Sequence, residues 1–332
     1  MFTILTGNCM GQLKTIEAGS VQTCVTSPPY WGLRDYGNAD QLGLEPTPEE
    51  YVANMVEVFR EAKRVLRDDG TLWLNLGDSY ATTPPGNKEK GVSGKSTLHG
   101  VNSDKYRETL SHSVQTKRST IAPGLKPKDL VGIPWMVAFA LRADGWYLRQ
   151  DIIWHKPNPM PESVTDRCTK AHEYIFLLSK SSKYYYDAEA VKEPANYDGR
   201  NDTFMKKSGK YESGEFLVNT NANSVHSRGH ERWPSKDADG NHTRNKRSVW
   251  TVSTQPYKEA HFATFPPKLI EPCILAGAPV GGVVLDPFAG SGTTLMVAEE
   301  NGRDSIGIEL SEEYCKLIRN RLSEMQPKLF YE

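Results

Sequence analysis

Apolar and polar positions along the chain form segments that predict strands and helices in turn. A strand is predicted over 20–26, and an amphipathic helix over 49–66, where apolar residues recur every three or four positions. Thr47-Pro48-Glu49-Glu50 is a typical helix start, and Asp68-Asp69-Gly70 is a typical stop. The series continues with strands over 71–76, 147–154, 171–178, 282–285 and 305–309, and with helices over 129–144, 266–276, 293–301 and 312–325. This alternation predicts an α/β fold with a doubly wound, mostly parallel sheet.

Two long polar segments interrupt the alternation. Residues 82–128 contain nine Lys or Arg against three acidic residues, a net charge of +6. Residues 195–250 contain ten Lys or Arg against seven acidic residues, a net charge of +3. Composition alone favours solvated loops over surfaces that neutralise phosphates, but both interpretations stay open at this point.

Length and cysteine content narrow the class of protein. A chain of 332 residues suffices for one large α/β domain with an insertion, or for two modest domains. Five scattered cysteines without C-x-x-C spacing argue against a disulfide framework or a structural zinc site, so we expect a cytoplasmic protein. Met1–Leu5 is too short and uncharged for a signal peptide, and no apolar run reaches the roughly 18 residues of a membrane span.

A glycine-rich turn, D-P-F-A-G-S-G-T-T over 286–294, follows the predicted strand 282–285 and leads into a helix. Gly290 and Gly292 remove Cβ atoms where the backbone must pass close to a ligand, and the helix begins with free N–H groups that suit a carboxylate. Glu309 ends the next predicted strand. No lysine follows the glycines, which excludes a P-loop. A dinucleotide-binding turn or a purely structural turn remains open on this segment alone.

A second motif, Thr26-Ser27-Pro28-Pro29-Tyr30-Trp31, closes the predicted strand 20–26 and is here named the Ser-Pro-Pro-Tyr loop. Alone it is compatible with a surface turn. With the glycine-rich turn, and in this order, it resembles the catalytic loop of the beta class of DNA amino-methyltransferases, whose S-adenosylmethionine (SAM) loop comes last. The resemblance covers most of the chain. It implies a Rossmann-like SAM methyltransferase fold with permuted motif order, SAM as cofactor and double-stranded DNA as substrate.

The resemblance implies a role for each motif residue. An exocyclic base amine is a poor nucleophile, so Ser27 Oγ and the Pro28 carbonyl are expected to accept hydrogen bonds from it, in a turn stiffened by Pro28 and Pro29. Tyr30 is expected to stack on a flipped base, with Trp31 as an added DNA contact. The expected cofactor-binding residues are Thr264, Phe265, Asp286, Phe288, Gly290, Ser291, Gly292, Thr293, Thr294 and Glu309, with Glu309 accepting hydrogen bonds from the ribose hydroxyls.

The same resemblance divides the chain and suggests its partners. Residues 1–190 are the predicted catalytic half, 255–332 the SAM-binding half and 191–254 an inserted target-recognition region, with the loop 82–128 gripping the DNA backbone. Trp154–Pro159 and Arg167–Glu173 resemble further catalytic-half motifs. The predicted basic DNA contacts are Lys117, Arg118, Lys156, Arg244, Lys246 and Arg247. A homodimer and a cognate restriction endonuclease are further expected partners, in a bacterial or phage-encoded protein associated with the nucleoid.

The sequence leaves the target base open. Ser27 stands where adenine enzymes of this class commonly carry Asp or Asn, and serine here is chiefly associated with N4-cytosine enzymes. Cytosine N4 is therefore slightly favoured over adenine N6. An RNA or protein amide methyltransferase is less favoured, because those enzymes usually carry Asn-Pro-Pro-Tyr in the unpermuted order. A non-catalytic nucleic-acid-binding module would not need both motifs.

Two other patterns are assigned structural roles. Pro272-Cys273 is compared with the Pro-Cys nucleophile of C5-cytosine enzymes, but Cys273 lies mid-helix and is predicted to be a core residue, as are Cys9 and Cys24. His226 and His230 are four residues apart, but no third ligand accompanies them, so no metal site is predicted.

Overall fold

The structure, a computed structural model, describes residues 1–33, 38, 40–81, 121–195, 242–254 and 265–324. Its contacts divide the chain into two compact units, one formed by Met1–Asp187 with Ser248–Glu332 and the other by Ala188–Arg247. Some predicted features lie outside the described residues, namely Lys117, Arg118, Thr264, the histidines 226 and 230, and most of the two polar segments.

Ten strands lie in the described residues. They are β1 (Phe2–Thr6), β2 (Val21–Thr26), β3 (Leu66–Leu76), β4 (Tyr147–His155), β5 (His172–Ser179), β6 (Glu193–Pro194), β7 (Thr243–Arg244), β8 (Val249–Thr251), β9 (Val283–Asp286) and β10 (Asp304–Glu309). Eight of them form one sheet in the order β1-β10-β9-β2-β3-β5-β4-β8, and β6 pairs with β7 in the smaller unit. Neighbours from β1 through β3 are parallel, and β5 runs antiparallel to both β3 and β4. The predicted mostly parallel sheet is confirmed.

Six helices accompany the sheet in the part of the chain that the structure describes. They are α1 (Cys9–Leu13), α2 (Pro48–Val65), α3 (Ile133–Ala143), α4 (Pro267–Gly277), α5 (Thr293–Glu300) and α6 (Glu312–Ser323). The start signal of α2 is confirmed, because Thr47 Oγ1 accepts a hydrogen bond from Glu50 N at 3.2 Å. None of these helices has the length and apolar character that crossing a bilayer requires.

Helices cover both faces of the sheet. Cys24 of β2 belongs to the apolar core that includes α2, whereas its neighbour Thr23 faces α4, where a Cβ on Gly277 would lie 2.6 Å from Thr23 Oγ1. Because successive strand residues point to opposite faces, α2 and α4 lie on opposite faces, as a doubly wound fold requires. Cys9, Cys24 and Cys273 are buried, so their predicted core positions are confirmed.

Two element boundaries differ from the prediction by several residues. Helix α3 begins at Ile133 rather than at 129, because Gly132 has φ +86° and Asp78 Oδ1 accepts hydrogen bonds from Gly132 N and Ile133 N at 2.9 and 3.1 Å. Strand β3 begins at Leu66, directly after α2, because Leu66 pairs with Val21 of β2. The sequence did not predict β1, α1 or β8, which are three to five residues long.

Candidate active site

The Ser-Pro-Pro-Tyr loop and the glycine-rich turn meet at one edge of the sheet. Strands β2 and β9 are parallel neighbours, with Cys24 opposite Leu285, so both motifs begin at adjacent carboxyl ends. Thr26 Oγ1 donates to Asp286 Oδ1 at 2.6 Å across a separation of 260 residues. Such an edge is where open α/β sheets generally bind their ligands.

Asp286 is the residue that joins the two motifs. Its carboxylate, 1% exposed, also accepts hydrogen bonds from Phe288 N at 3.0 Å and from Thr294 Oγ1 at 2.6 Å. Burial raises the pKa of Asp286 to about 6, and these hydrogen bonds oppose that rise. By accepting these three hydrogen bonds, Asp286 holds the two loops together, and its predicted contact with the cofactor stays a prediction.

The glycine-rich turn leaves the start of α5 open. Gly290 and Gly292 have φ of +51° and +78°, in the left-handed region that favours glycine. Gly292 is the residue before α5 and contributes no side-chain cap to its first N–H groups. Ser291, Thr293 and Thr294 are buried, and Arg321 Nη1 holds the turn by donating to the Ser291 carbonyl at 2.9 Å.

Glu309 closes the other side of this turn. Its Oε2 accepts a hydrogen bond from Gly290 N at 2.8 Å, and its Oε1 accepts one from Ser311 N at 2.9 Å. Burial raises the pKa of Glu309. Each carboxylate oxygen has two lone pairs, so acceptor capacity remains for ligand hydroxyls. Phe288 is half-buried in the turn, and Phe265 is half-buried shortly before α4.

These residues fit SAM by their chemistry. The open start of α5 suits the carboxylate of its methionine end, and the Glu309 carboxylate suits its ribose hydroxyls. The left-handed glycines allow the backbone to pass close to a ligand without Cβ atoms between.

The Ser-Pro-Pro-Tyr loop is fixed by hydrogen bonds from both sides. Tyr51 of α2 donates to the Pro29 carbonyl at 2.9 Å. Tyr30 Oη donates to Glu173 Oε2 at 2.8 Å and lies 3.4 Å from Ser27 Oγ. Ser27 is half-buried and Pro28 is buried. Burial, together with the charge of Glu173, holds the pKa of Tyr30 well above its usual range.

The end of β3 makes room for the Tyr30 ring. A Cβ on Gly77 would lie 2.5 Å from Tyr30 Cε2, a distance too short for two carbon atoms that are not bonded. The ring therefore packs against bare backbone on that side, and a larger residue at 77 would displace it.

The structure corrects the prediction for Trp31. Its indole is 6% exposed, packs in the main core and donates from Nε1 to the Glu45 carbonyl at 3.0 Å. A side chain enclosed in this way offers no face to DNA, so Trp31 is a core residue.

Three of the basic residues predicted to contact DNA form ion pairs within the chain. Lys156 forms an ion pair with Glu173 and lies 4.3 Å from the centre of the Trp154 ring. In the smaller unit, Arg244 and Arg247 form ion pairs with Glu193 Oε1 at 2.9 and 2.6 Å. Their contact with DNA, and that of Lys246, stays a prediction.

Sequence analysis did not single out Asn75 or Glu173 as site residues. Asn75 Nδ2 donates to the Tyr174 carbonyl at 3.0 Å, and its Oδ1 lies 3.2 Å from Tyr30 Oη. Asn75 sits within the apolar run of β3, where a buried amide is itself a signal, because a buried polar side chain requires partners.

Comparison with known proteins agrees with this geometry. The sequence model of the DNA methylase family of N6 and N4 methyltransferases matches residues 21–320. The Type II methyltransferases M.Cfr9I of Citrobacter freundii and M.SmaI of Serratia marcescens are 44% and 43% identical over 320 and 319 residues, 96% of this chain and 87% and 90% of the relatives.

Two solved structures share the fold. The PvuII DNA methyltransferase, described as cytosine-N4-specific, superposes with a TM-score of 0.60 at 18% identity, over 96% of this chain and 86% of that one. TTHA0409 of Thermus thermophilus, solved in complex with SAM, superposes with a TM-score of 0.54 at 21% identity, over 98% of this chain and 95% of that one. The chain belongs to the DNA methylase family of N6 and N4 methyltransferases and is a SAM-dependent DNA methyltransferase.

Proposed function

We propose that this enzyme methylates the exocyclic amine of a base flipped out of duplex DNA, and that the base is cytosine in preference to adenine. The observation that carries the proposal is the position of Ser27, one residue beyond the hydrogen bond that joins Thr26 to Asp286. A neutral hydroxyl acceptor thus stands at the edge of the sheet where the glycine-rich turn begins.

The chain's own residues supply orientation and hydrogen-bond acceptors. SAM, when bound, supplies an electrophilic methyl group. Ser27 Oγ and the Pro28 carbonyl accept hydrogen bonds from the amine, which draws its lone pair out of conjugation with the ring. Proline has no N–H to compete for these acceptors, and the bond from Tyr51 to the Pro29 carbonyl holds the turn in place.

The preference for cytosine N4 rests on the identity of residue 27. Serine at this position is chiefly associated with N4-cytosine enzymes, whereas adenine enzymes commonly carry Asp or Asn. Either base offers one amino group of the same geometry, so adenine N6 is the second candidate.

Three further proposals follow from the family resemblance. The first is that residues 191–254 recognise the target sequence. The second is that Lys156 and the segment Arg244–Arg247 approach DNA phosphates. The third concerns partners: the protein forms a homodimer, and a separate restriction endonuclease of the same specificity accompanies it.

Nucleoside analysis tests the proposal. The protein is incubated with SAM and unmodified duplex DNA, and the digested nucleosides are identified by mass spectrometry. We expect N4-methylcytosine. N6-methyladenine would reverse the base preference while retaining the reaction. No methylated nucleoside, in a preparation that binds SAM, would contradict the proposal and direct the search to RNA and protein acceptors.

A further inference from the structure

We propose that Glu173, held by Lys156, is a positioning residue that orients the hydroxyl protons of Tyr30 and Ser27, so that Ser27 Oγ presents its lone pairs to the target amine. The inference rests on the proposed role of Ser27. It follows from the direction of each hydrogen bond in the group Ser27, Tyr30, Asn75, Glu173 and Lys156.

The first step is the orientation of the Asn75 amide. Its Nδ2 lies 3.0 Å from the Tyr174 carbonyl, which can only accept, so this atom must be the donor. The same Nδ2 lies 3.3 Å from Glu173 Oε2. Asn75 Oδ1 therefore faces Tyr30 Oη, at 3.2 Å, and offers it an acceptor.

The second step is the proton of Tyr30. Its Oη faces the acceptors Glu173 Oε2 at 2.8 Å and Asn75 Oδ1 at 3.2 Å, and it has one proton to donate. The shorter bond to a carboxylate is also the stronger one, so the proton lies toward Glu173. Because burial and the charge of Glu173 raise the pKa of Tyr30, the phenol keeps this proton at neutral pH.

The third step is Ser27. Its Oγ lies 3.4 Å from Tyr30 Oη, whose proton is already directed to Glu173. Ser27 must therefore be the donor in this pair, and both lone pairs of its Oγ stay available to an incoming amine. The chain of donors runs from Ser27 through Tyr30 to Glu173, and the carboxylate sets its direction.

Lys156 holds the carboxylate of Glu173 in place by an ion pair. Its Nζ pairs with Oε1 of Glu173, which leaves Oε2 for Tyr30 and Asn75. The side chains of Lys156 and Glu173 are only 18% and 15% exposed. A neutral glutamine at 173 can donate to Tyr30 Oη as readily as accept, so the direction of the chain would no longer be fixed.

A double-mutant cycle tests this assignment. Glu173→Gln, Tyr30→Phe and the double variant are compared with wild type in single-turnover methylation of an unmodified plasmid that the wild-type protein methylates. Glu61→Gln is the matched control, because Glu61 is ion-paired with Arg64 on α2 at 2.8 Å and touches none of these groups. Affinities for SAM and for DNA are measured on every variant.

We expect each single variant to slow methyl transfer roughly 10- to 100-fold, with SAM and DNA affinities unchanged and the Glu61→Gln control at the wild-type rate. Because Glu173 acts through the Tyr30 hydroxyl, adding Glu173→Gln to Tyr30→Phe should slow the reaction less than about twofold further. If the glutamine variant does not fold, Glu173→Asp replaces it in the cycle, because the shorter side chain draws the carboxylate back from Tyr30 Oη.

Two results would overturn the inference. Multiplicative losses in the double variant would mean that Glu173 acts independently of Tyr30, and a loss confined to DNA affinity would make it a binding residue. A Ser27→Ala variant in the same series reports separately on the proposed function. If Ser27→Ala methylates DNA at the wild-type rate, the proposed role of Ser27 is wrong. If Ser27→Ala is inactive and the rate losses of Glu173→Gln and Tyr30→Phe multiply in the double variant, only the proposed role of Glu173 is wrong.

Discussion

Asp286 shows what a single buried carboxylate contributes to this site. It accepts hydrogen bonds from Thr26, Phe288 and Thr294, and so ties β2 to the start of α5. The same burial disfavours its ionised form, and its pKa of about 6 in the folded protein exceeds the roughly 3.9 of an unfolded chain. The residue that aligns the two loops is thus also a source of pH-dependent stability.

The sign of that dependence follows from linkage. The folded state holds the Asp286 proton more tightly, so its contribution to stability is fully present below about pH 4 and is lost as the pH rises to about 6. Asp286→Asn removes this ionisation, and the displaced Thr294 hydroxyl can turn to the Val25 carbonyl at 3.4 Å.

We therefore expect the unfolding free energy of Asp286→Asn, relative to wild type, to rise by roughly 1 kcal/mol between about pH 5 and about pH 7.5. Chemical denaturation at the two pH values measures it. Asp68→Asn is the matched control, since that side chain is 98% exposed, and its difference from wild type should change little. A constant difference for Asp286→Asn would show that Asp286 does not titrate in this window.

Individual residues mark the limit of what the sequence predicts. Ser27 and Glu309 belong to recognisable motifs, and in the structure Ser27 directly follows β2 while Glu309 ends β10 in the same sheet. The prediction that Trp31 contacts DNA was wrong, because the sequence does not show that the chain at Glu45 packs over Trp31 and accepts the hydrogen bond of its indole. Asn75 meets Tyr30 through the pairing of β3 with β2, and Glu173 joins them through the pairing of β3 with β5, which spans about a hundred positions.

At the scale of elements, the start of α5 depends on its packing against α6. Gly292 combines a φ of +78° with close contact, because a Cβ there would lie 2.8 Å from Ile318 Cγ2. Gly281 has nearly the same φ, +77°, but a Cβ there would meet nothing within 4 Å. Substitution at Gly281 therefore tests backbone strain alone, whereas substitution at Gly292 tests backbone strain together with packing against Ile318.

Alanine at each position makes the comparison. Gly281→Ala should cost about 1–2 kcal/mol of unfolding free energy from left-handed strain alone. Gly292→Ala should cost a further 1–3 kcal/mol or so by overpacking Ile318, and should weaken SAM binding by shifting the start of α5. Denaturant unfolding and SAM titration measure both effects. Equal stability losses with equal SAM affinity would contradict this account of the turn.

Most elements follow from local pattern, and the exceptions have a physical reason. Helix α2 and strands β2, β4, β9 and β10 lie within one or two residues of their predicted bounds. The periodic pattern and start signal of α2, and the apolar runs of the strands, are signals that local sequence carries. Strand β8 has three residues and is held by parallel pairing with β4, almost a hundred positions away. Such an element is defined by its partner rather than by its own sequence.

At the scale of the molecule, the sheet reunites motifs that the sequence separates. Strands β2 and β9 are neighbours although they lie near opposite ends of the chain, so the permuted order still yields one site. The fold class and the cofactor were predictable because two motifs fix them together. The target sequence was not, because base recognition depends on side-chain geometry that no local pattern encodes.

The central claim is that Ser27 holds the amine while the glycine-rich turn holds SAM independently. Single-turnover methylation by Ser27→Ala tests it most directly, with SAM affinity measured in parallel. Ser20→Ala is the control, because Ser20 directly precedes the opposite end of β2 and its Oγ donates only to the Glu17 carbonyl, at 2.7 Å, among the described contacts.

We predict that Ser27→Ala loses methyl transfer by roughly 100-fold or more, binds SAM as the wild type does, and that Ser20→Ala is unaffected. Methylation by Ser27→Ala at the wild-type rate would contradict the account.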